Sequence, residues 1–188
     1  MIKLSKPFKG ASALSITQGY SESHKANDFQ GKFGEFIVSP FNAKVASIIG
    51  IESDMDEPDA GSLSNGYGIR LISTEDPTLS CTYWHCQSVF PYKKGDIVLQ
   101  GQVVSMMGNS GFVKSNGVYV EVDRRLIPPY PGTHVHWSMG QMIGQNYVPL
   151  DPSKLISWDI PVCPNLMETL NLFFLSISNF LKKGRLQI

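Results

Sequence analysis

The chain contains four histidines, His24, His85, His134 and His136, and all of them stand where they could belong to one metal site. His24 precedes Asp28 by four residues, and a single valine separates His134 from His136. Since alternate residues of a β-strand face the same side, His134 and His136 are expected to project into one space. Two histidines and one aspartate form a three-ligand zinc set that leaves the fourth position for water. The pattern therefore predicts a zinc metalloenzyme.

The cysteines argue against a structural zinc site and against a disulfide framework. Cys81, Cys86 and Cys163 are odd in number and have no Cys-x-x-Cys spacing. A structural zinc site normally has a fourth protein ligand, often a cysteine, and these three cysteines lack the spacing to supply it. The three thiols are expected to pack as small buried hydrophobic groups.

The composition is that of a folded protein without net charge. Of the 188 residues, 42% are apolar, which is enough for one domain with a buried core. Sixteen basic and sixteen acidic residues cancel, and this removes the electrostatic case for nucleic acid or an anionic membrane surface. We therefore expect no nucleic-acid partner.

Short apolar runs separated by Gly, Asn, Asp and Pro predict a mainly β fold, a sandwich or a barrel. An acidic stretch over residues 52–64 is expected to be a solvated loop rather than a calcium site, because its carboxylates lack the spacing of an EF-hand loop. Residues 116–132 join a glycine turn to the strand of His134, and they are expected to form a hairpin or flap beside the site. The predicted strands cover residues 44–51, 68–73, 79–86, 103–107, 118–122 and 133–139.

A change of composition divides the chain into a β domain over residues 1–160 and a tail over residues 161–188. Asn165 and Glu168 form a capping box, and apolar residues follow at helical spacing. Polar residues interrupt this amphipathic C-terminal helix, so it falls short of the roughly 20 apolar residues that a membrane span needs. Its apolar surface is wider than one stripe. Residues 165–183 are therefore expected either to dock on the β domain or to contact a virion or another copy of the chain.

The motifs and their order resemble those of the lysostaphin and LytM-type zinc endopeptidases, which cut the peptide part of bacterial peptidoglycan. The resemblance runs over about residues 16–155. His24-Lys-Ala-Asn-Asp28 stands where the family has His-x-Gly-x-Asp, and His134-Val-His-Trp stands for its His-Leu-His-Phe. Further matching segments are residues 16–20, 39–45, 66–68, 82–85, 94–102, 107–111 and 150–152.

This resemblance implies a fold, a cofactor and a role for each histidine. The implied fold is the lysostaphin-like one, an antiparallel β-sandwich or open barrel of the duplicated hybrid motif type. His24, Asp28 and His136 would be the ligands of one Zn²⁺ ion per chain. His134 corresponds to the general base, and His85 to a second catalytic histidine that helps to hold the nucleophilic water or the developing oxyanion. Which of those two does which job stays open, and so does the scissile bond of the peptidoglycan peptide.

Three aromatic residues near the motifs, Tyr20, Tyr83 and Trp137, are candidate substrate contacts. Packing is the commoner role of such residues in a β protein. Asn109 lies in the glycine turn of residues 108–111 and is expected to be a turn former.

The N-terminus carries basic residues without an apolar stretch behind them, so no signal peptide is expected. With no cell-wall-binding repeat, this favours a phage endolysin or a tail-associated hydrolase, made in the cytoplasm and acting on the cell wall as a virion component or a phage-released enzyme. Two other functions remain open. One is a non-catalytic scaffold or hydrolase activator on the same fold, and the other is a phosphocarrier domain that uses a pair of histidines.

Overall fold

The structure is a computed structural model that describes residues 4–50 and 65–159. Antiparallel strands dominate these residues, and a single four-residue α-helix, α1, spans Val122–Arg125. Short 3-10 turns lie at Ala13–Ser15 and Pro152–Lys154. The strands are β1 Ile16–Gln18, β2 Ala26–Phe29, β3 Phe36–Val38, β4 Ala43–Ile49, β5 Tyr67–Ser73, β6 Leu79–Cys86, β7 Ile97–Val98, β8 Val103–Met106, β9 Lys114–Ser115, β10 Val118–Tyr119, β11 Val135–Ile143 and β12 Asn146–Leu150.

One large sheet carries most of the strands, in the order β1-β2-β11-β6-β5-β4-β7. Strand β11 lies between β6 and two shorter partners, because β2 pairs with its first half and β12 with its second. Strands β3 and β8 pair separately, and β9 and β10 form a small hairpin. Within the described residues the two edges of the large sheet do not meet, so the predicted mainly β, lysostaphin-like fold is confirmed as an open form and not as a closed barrel.

Alternation along β11 separates a core face from a more accessible face. Val135, Trp137 and Met139 are fully buried, whereas His136 and Ser138 between them are partly accessible. On the core face, Trp137 stacks on Tyr83, with 5.5 Å between the ring centroids. The core therefore lies behind the central strands and leaves the opposite face of β2, β6 and β11 free to carry polar side chains.

This packing overturns two of the predicted substrate contacts. Tyr83 and Trp137 are both 0% exposed, and the Tyr83 hydroxyl donates a hydrogen bond to Val38 O at 3.0 Å. Each is an odd-numbered residue on the core face of its strand, whereas a substrate contact would need the other face. The prediction that these two side chains bind substrate is wrong, and they are core residues.

The predicted strands overlap observed ones, with the bounds of 79–86 exact and those of the others displaced at one or both ends by one to four residues. The run over residues 118–122 ends as a strand at Tyr119, and helix α1 begins at Val122. Asp123 in the first turn and Arg124 in the last complement the helix dipole. Strands β9 and β10 form a short hairpin, but β9 lies before the predicted range of 116–132 and only β10 lies inside it.

Several predictions fall outside the described residues. The amphipathic helix over 165–183, Cys163, the boundary near residue 160 and the acidic stretch over 52–64 are among them. Cys81 and Cys86 are buried free thiols, as expected. In the ranges 4–50 and 65–159, no helix is long and apolar enough to cross a membrane.

Candidate active site

The site is built on the pairing of β2 with β11. In this register Asp28 lies directly opposite His136. Since directly paired residues of an antiparallel sheet project to the same face, the carboxylate and the imidazole meet there. Asp28 Oδ1 lies 2.9 Å from His136 Nδ1. Asp28 therefore lies on a strand, β2.

His24 completes a three-residue cluster from the loop before β2. A tight turn carries it, in which the backbone groups of Ser21 and His24 hydrogen-bond to each other. His24 Nε2 lies 3.3 Å from Asp28 Oδ1 and 3.3 Å from His136 Nδ1. One possible ligand atom from each of the three residues lies within 4.8 Å of the other two.

These three residues fit a divalent cation. In the part of the chain that the structure describes, Asp28 Oδ1 is buried and receives no well-directed hydrogen bond. A buried acceptor left in that state is costly. A cation bound by Asp28 Oδ1, His24 Nε2 and His136 Nδ1 would satisfy all three atoms, and two histidines with one carboxylate suit zinc.

Two further histidines border this cluster. His134 Nε2 lies 4.0 Å from Asp28 Oδ2. The His85 ring is 4.5 Å from that of His134 and 6.0 Å from that of His136, measured between centroids. The structure thus brings together all four histidines and Asp28, as the sequence predicted.

His85 reaches the site because β6 is irregular at that point. In a regular strand His85 would share the core face of Tyr83. The pairing with β5 shifts by one residue between Tyr67 and Ile69, and His85 has a φ of 60°. Such a bulge re-aims a side chain, and here it turns His85 from the core towards the histidine cluster.

The glycine turn of residues 108–111 holds both His85 and His134. Ser110 O accepts a hydrogen bond from His85 Nδ1 at 2.7 Å, and Gly108 O accepts one from His134 N at 3.3 Å. Gly108 is required for this approach, since a Cβ there would lie 2.9 Å from His85 O and 2.8 Å from Gln87 N. The turn therefore holds His85 and His134 in place through its backbone carbonyls.

Backbone carbonyls fix the protonation of three imidazoles. The Nδ1 atoms of His24 and His134 lie 3.2 Å from Gly19 O and 2.8 Å from Gly132 O, and His85 Nδ1 faces Ser110 O as described. A carbonyl can only accept, so each Nδ1 carries the proton and each Nε2 of the neutral ring has a free lone pair. The sequence did not reveal these carbonyls, because any residue type could supply them.

Burial keeps the two non-ligand histidines neutral. It lowers the pKa of His85 to about 3, and the neighbouring His134 adds to the shift. Burial also lowers the pKa of His134. For Asp28 burial by itself raises the pKa, but the close approach of His136 Nδ1 and the electrostatic attraction of the neighbouring imidazoles outweigh it, and the net shift is downward. The site therefore presents the Asp28 carboxylate and two neutral imidazoles, those of His85 and His134, near pH 7. A carboxylate can bind a metal ion, and a neutral imidazole can accept a proton.

Tyr20 is the predicted substrate contact that stays near the site surface. It is half-buried beside Gly19, and its hydroxyl donates to Pro149 O at 3.3 Å. Lys25 Nζ lies 5.2 Å from the centre of its ring. Its role as a substrate contact stays a prediction.

Comparison with known proteins places the chain in a family. The model of Peptidase family M23 matches residues 22–152, which include all five site residues. Among curated proteins, none matches the chain.

Solved structures share the fold at low sequence identity. LytU is 22% identical, with a TM-score of 0.53, over 81% of this chain and 88% of its own. A family M23 peptidase from Pseudomonas aeruginosa is 20% identical, with a TM-score of 0.52, over 81% of this chain and 49% of its own. A zinc-containing peptidase from Vibrio cholerae is 16% identical, with a TM-score of 0.51, over 78% of this chain and 39% of its own.

The chain thus spans about half or less of the length of two of these proteins. The match of the family model to most of the chain, together with the shared fold, decides its membership. This protein belongs to peptidase family M23.

Proposed function

We propose that this protein is a zinc-dependent endopeptidase that hydrolyses peptide cross-links of bacterial peptidoglycan. The observation that carries the proposal is the convergence of His24, Asp28 and His136 next to two neutral histidines. Membership of a peptidase family and a shared fold with a zinc-containing peptidase support it. The peptidoglycan substrate rests on the resemblance of the motifs to lysostaphin and LytM-type enzymes.

In this proposal His24, Asp28 and His136 hold the zinc ion. When bound, zinc is a Lewis acid that makes water a nucleophile near neutral pH and polarises a carbonyl. Asp28 contributes the negative charge of the ligand set, and its lowered pKa keeps that charge in acidic solution.

His134 serves as the general base. Its Nδ1 proton is held by Gly132 O, so Nε2 offers its lone pair on the side facing Asp28. From there it can take a proton from the water that attacks the peptide carbonyl and later pass it to the leaving amine. His85 lies deeper, at 6% exposure, and its Nε2 lone pair can orient the same water.

The test is digestion of purified peptidoglycans of several chemotypes, with and without a chelator, followed by mass spectrometry of the fragments. We expect peptide cross-links to be cut, and cutting to stop in the chelator and resume on addition of zinc. Fragments cut only between sugars, or equal digestion in the chelator, would contradict the proposal. Fragment masses would also identify the scissile bond.

The same samples discriminate the two other functions. A scaffold or hydrolase activator would bind one zinc per chain and release no fragments. A phosphocarrier domain would accept phosphate without any metal.

The expected setting, a phage endolysin or tail-associated hydrolase, is a separate proposal. Immunoblotting of purified virions against the lysate of infected cells would distinguish a virion component from a released enzyme. Absence from both fractions would contradict this setting.

A further inference from the structure

Asn109 links the glycine turn to the insertion of residues 116–132. Its side chain is 4% exposed, and its Nδ2 donates to Arg125 O at 2.9 Å and to Pro131 O at 3.0 Å. Both protons of the amide are therefore used on carbonyls of the insertion. A simple turn former would need neither contact.

The contact with Pro131 bears on the general base. Pro131 directly precedes Gly132, whose carbonyl accepts the Nδ1 proton of His134 at 2.8 Å. The planar peptide group that contains Pro131 O also contains the nitrogen and the Cα of Gly132, so a bond that holds Pro131 O anchors the residue that carries the accepting carbonyl. The direction of Gly132 O in turn decides where His134 Nε2 points.

The insertion has few other ties to the turn. Residues 128, 129 and 131 are prolines, which offer no backbone N–H. The described backbone hydrogen bonds of residues 127 and 130 are local, to Arg124 O and Ile127 O. Phe33 stacks on Tyr130 at 4.3 Å between centroids, but ring stacking does not orient a carbonyl. Thr133 Oγ1 donates to Tyr130 O at 2.6 Å, but this bond is local to the end of the strip. Among the side chains of the turn, all of which the structure describes, Asn109 is the one that hydrogen-bonds to this strip of backbone.

We propose that Asn109 is a positioning residue for His134, acting through the carbonyls of Pro131 and Gly132. The inference rests on the proposed function for the role of His134 as the base. Without the two hydrogen bonds, Gly132 O is no longer held in one position. The His134 imidazole then adopts other orientations, in which Nε2 does not face Asp28, and other tautomers, in which Nε2 carries the proton.

Two variants separate the hydrogen bonds from the shape of the side chain. Asn109→Asp keeps the size of the side chain but cannot donate the two hydrogen bonds when it is ionised. Asn109→Ala removes both the hydrogen bonds and the shape of the side chain. We expect kcat to fall on the order of 10- to 100-fold in each, with KM and bound zinc close to those of the parent. The matched control is Ser39→Ala, which removes one buried hydrogen bond, from Ser39 Oγ to Phe41 O at 2.7 Å, and should lower stability while leaving kcat unchanged.

A readout independent of turnover is the tautomer of His134. Long-range proton–nitrogen NMR spectra of the zinc-loaded protein, labelled with ¹⁵N-histidine and assigned with His134→Gln, report which ring nitrogen carries the proton. The parent and Ser39→Ala should show the Nδ1-protonated form, and the Asn109 variants a mixture of forms.

The outcomes separate this inference from the proposed function. If the parent digests peptidoglycan but the Asn109 variants match Ser39→Ala in kcat and keep a single tautomer, the positioning role is wrong. Loss of zinc in the Asn109 variants would also overturn it, because Asn109 would then support the ligand set. If the parent shows no zinc-dependent cleavage, the proposed function fails, and the tautomer spectra still decide whether Asn109 orients His134.

Discussion

The four histidines differ in what their ring nitrogens face, although the residue type is the same. His24 and His136 turn one nitrogen each towards Asp28. His85 and His134 give their Nδ1 protons to backbone carbonyls and keep Nε2 free. His24 Nδ1 also faces a backbone carbonyl, so the proposed ligands differ from the proposed base in the approach of a ring nitrogen to Asp28 Oδ1, a detail that residue identity does not contain.

Substitution of the ligands and of the base should have different effects on zinc. Asp28→Ala or His136→Ala removes one of three ligands, so we expect zinc and activity to be lost together. His134→Ala should keep zinc but lose about 10²- to 10⁴-fold in turnover, the range of a general base. Metal analysis of dialysed protein and digestion kinetics check both. Turnover like the parent in His134→Ala would show that another group is the base.

Burial of His85 should make the protein sensitive to acid. Its pKa is about 3 in the folded chain against an ordinary value of 6.5. Between these values the unfolded chain binds a proton that the folded chain does not, so the free energy of unfolding falls as the pH falls from 6.5 towards 3. In chelator, the free energy of unfolding of the parent should depend more steeply on pH than that of His85→Gln. The difference between the two slopes should be at most about 1.36 kcal/mol per pH unit. Urea unfolding at several pH values measures it, and equal slopes would contradict a neutral buried His85.

At the scale of elements, two irregular features bring the histidines of the site together. The bulge in β6 turns His85 out of the core, and the turn of residues 108–111 packs against it. The close approach of the two backbones depends on Gly108. A regular strand followed by an ordinary loop would leave His85 facing away from His24, Asp28 and His136.

Gly108→Ala tests this approach. The added methyl group would lie within 3.0 Å of backbone atoms of Cys86 and Gln87, which cannot rotate away. We expect a loss of about 1 to 3 kcal/mol in the free energy of unfolding and a lower kcat, because the turn must move away from His85 and His134. Gly10→Ala is the matched control, since its nearest contact is the flexible end of the Glu35 side chain at 3.0 Å. Equal stability and turnover in both variants would show that the approach is not tight.

At the scale of the whole molecule, the core and the site lie on opposite faces of the same central strands. Tyr83 and Trp137 face the core, and their neighbours Trp84 and His136 are partly accessible. The Tyr83 hydroxyl ties the large sheet to the separate β3 strand at Val38. The sheet thus packs against the core with one face and carries the histidines and Asp28 on the other.

Tyr83→Phe should separate stability from activity. The change leaves Val38 O without this donor, which costs about 1 to 3 kcal/mol of folding stability. Because the ring stays in the core, KM and kcat of the folded protein should match those of the parent. Tyr20→Phe is the comparison, and we expect its KM to rise if that hydroxyl contacts substrate. A raised KM in Tyr83→Phe with unchanged stability would restore Tyr83 as a substrate contact.

Much of the site could be predicted from the sequence, because the chemistry resides in residue types and in local spacing. His134 and His136 share a face through the two-residue repeat of an extended chain. The strand over residues 79–86 is rich in apolar and aromatic residues and was found at the same bounds. By contrast β2 contains Asn27 and Asp28, which are poor strand formers, and it is a strand because β11 pairs with it.

The sequence by itself determined the reactive groups, the mainly β class and the family resemblance. Only the tertiary structure decided that His85 turns out of the core, that Tyr83 faces into it, and that Asn109 holds the insertion. The physical reason is the range of the interactions. A strand's alternation depends on neighbours along the chain, whereas bulges and registers depend on contacts between distant segments such as His24 and His136, 112 residues apart, and packing of the whole core selects them.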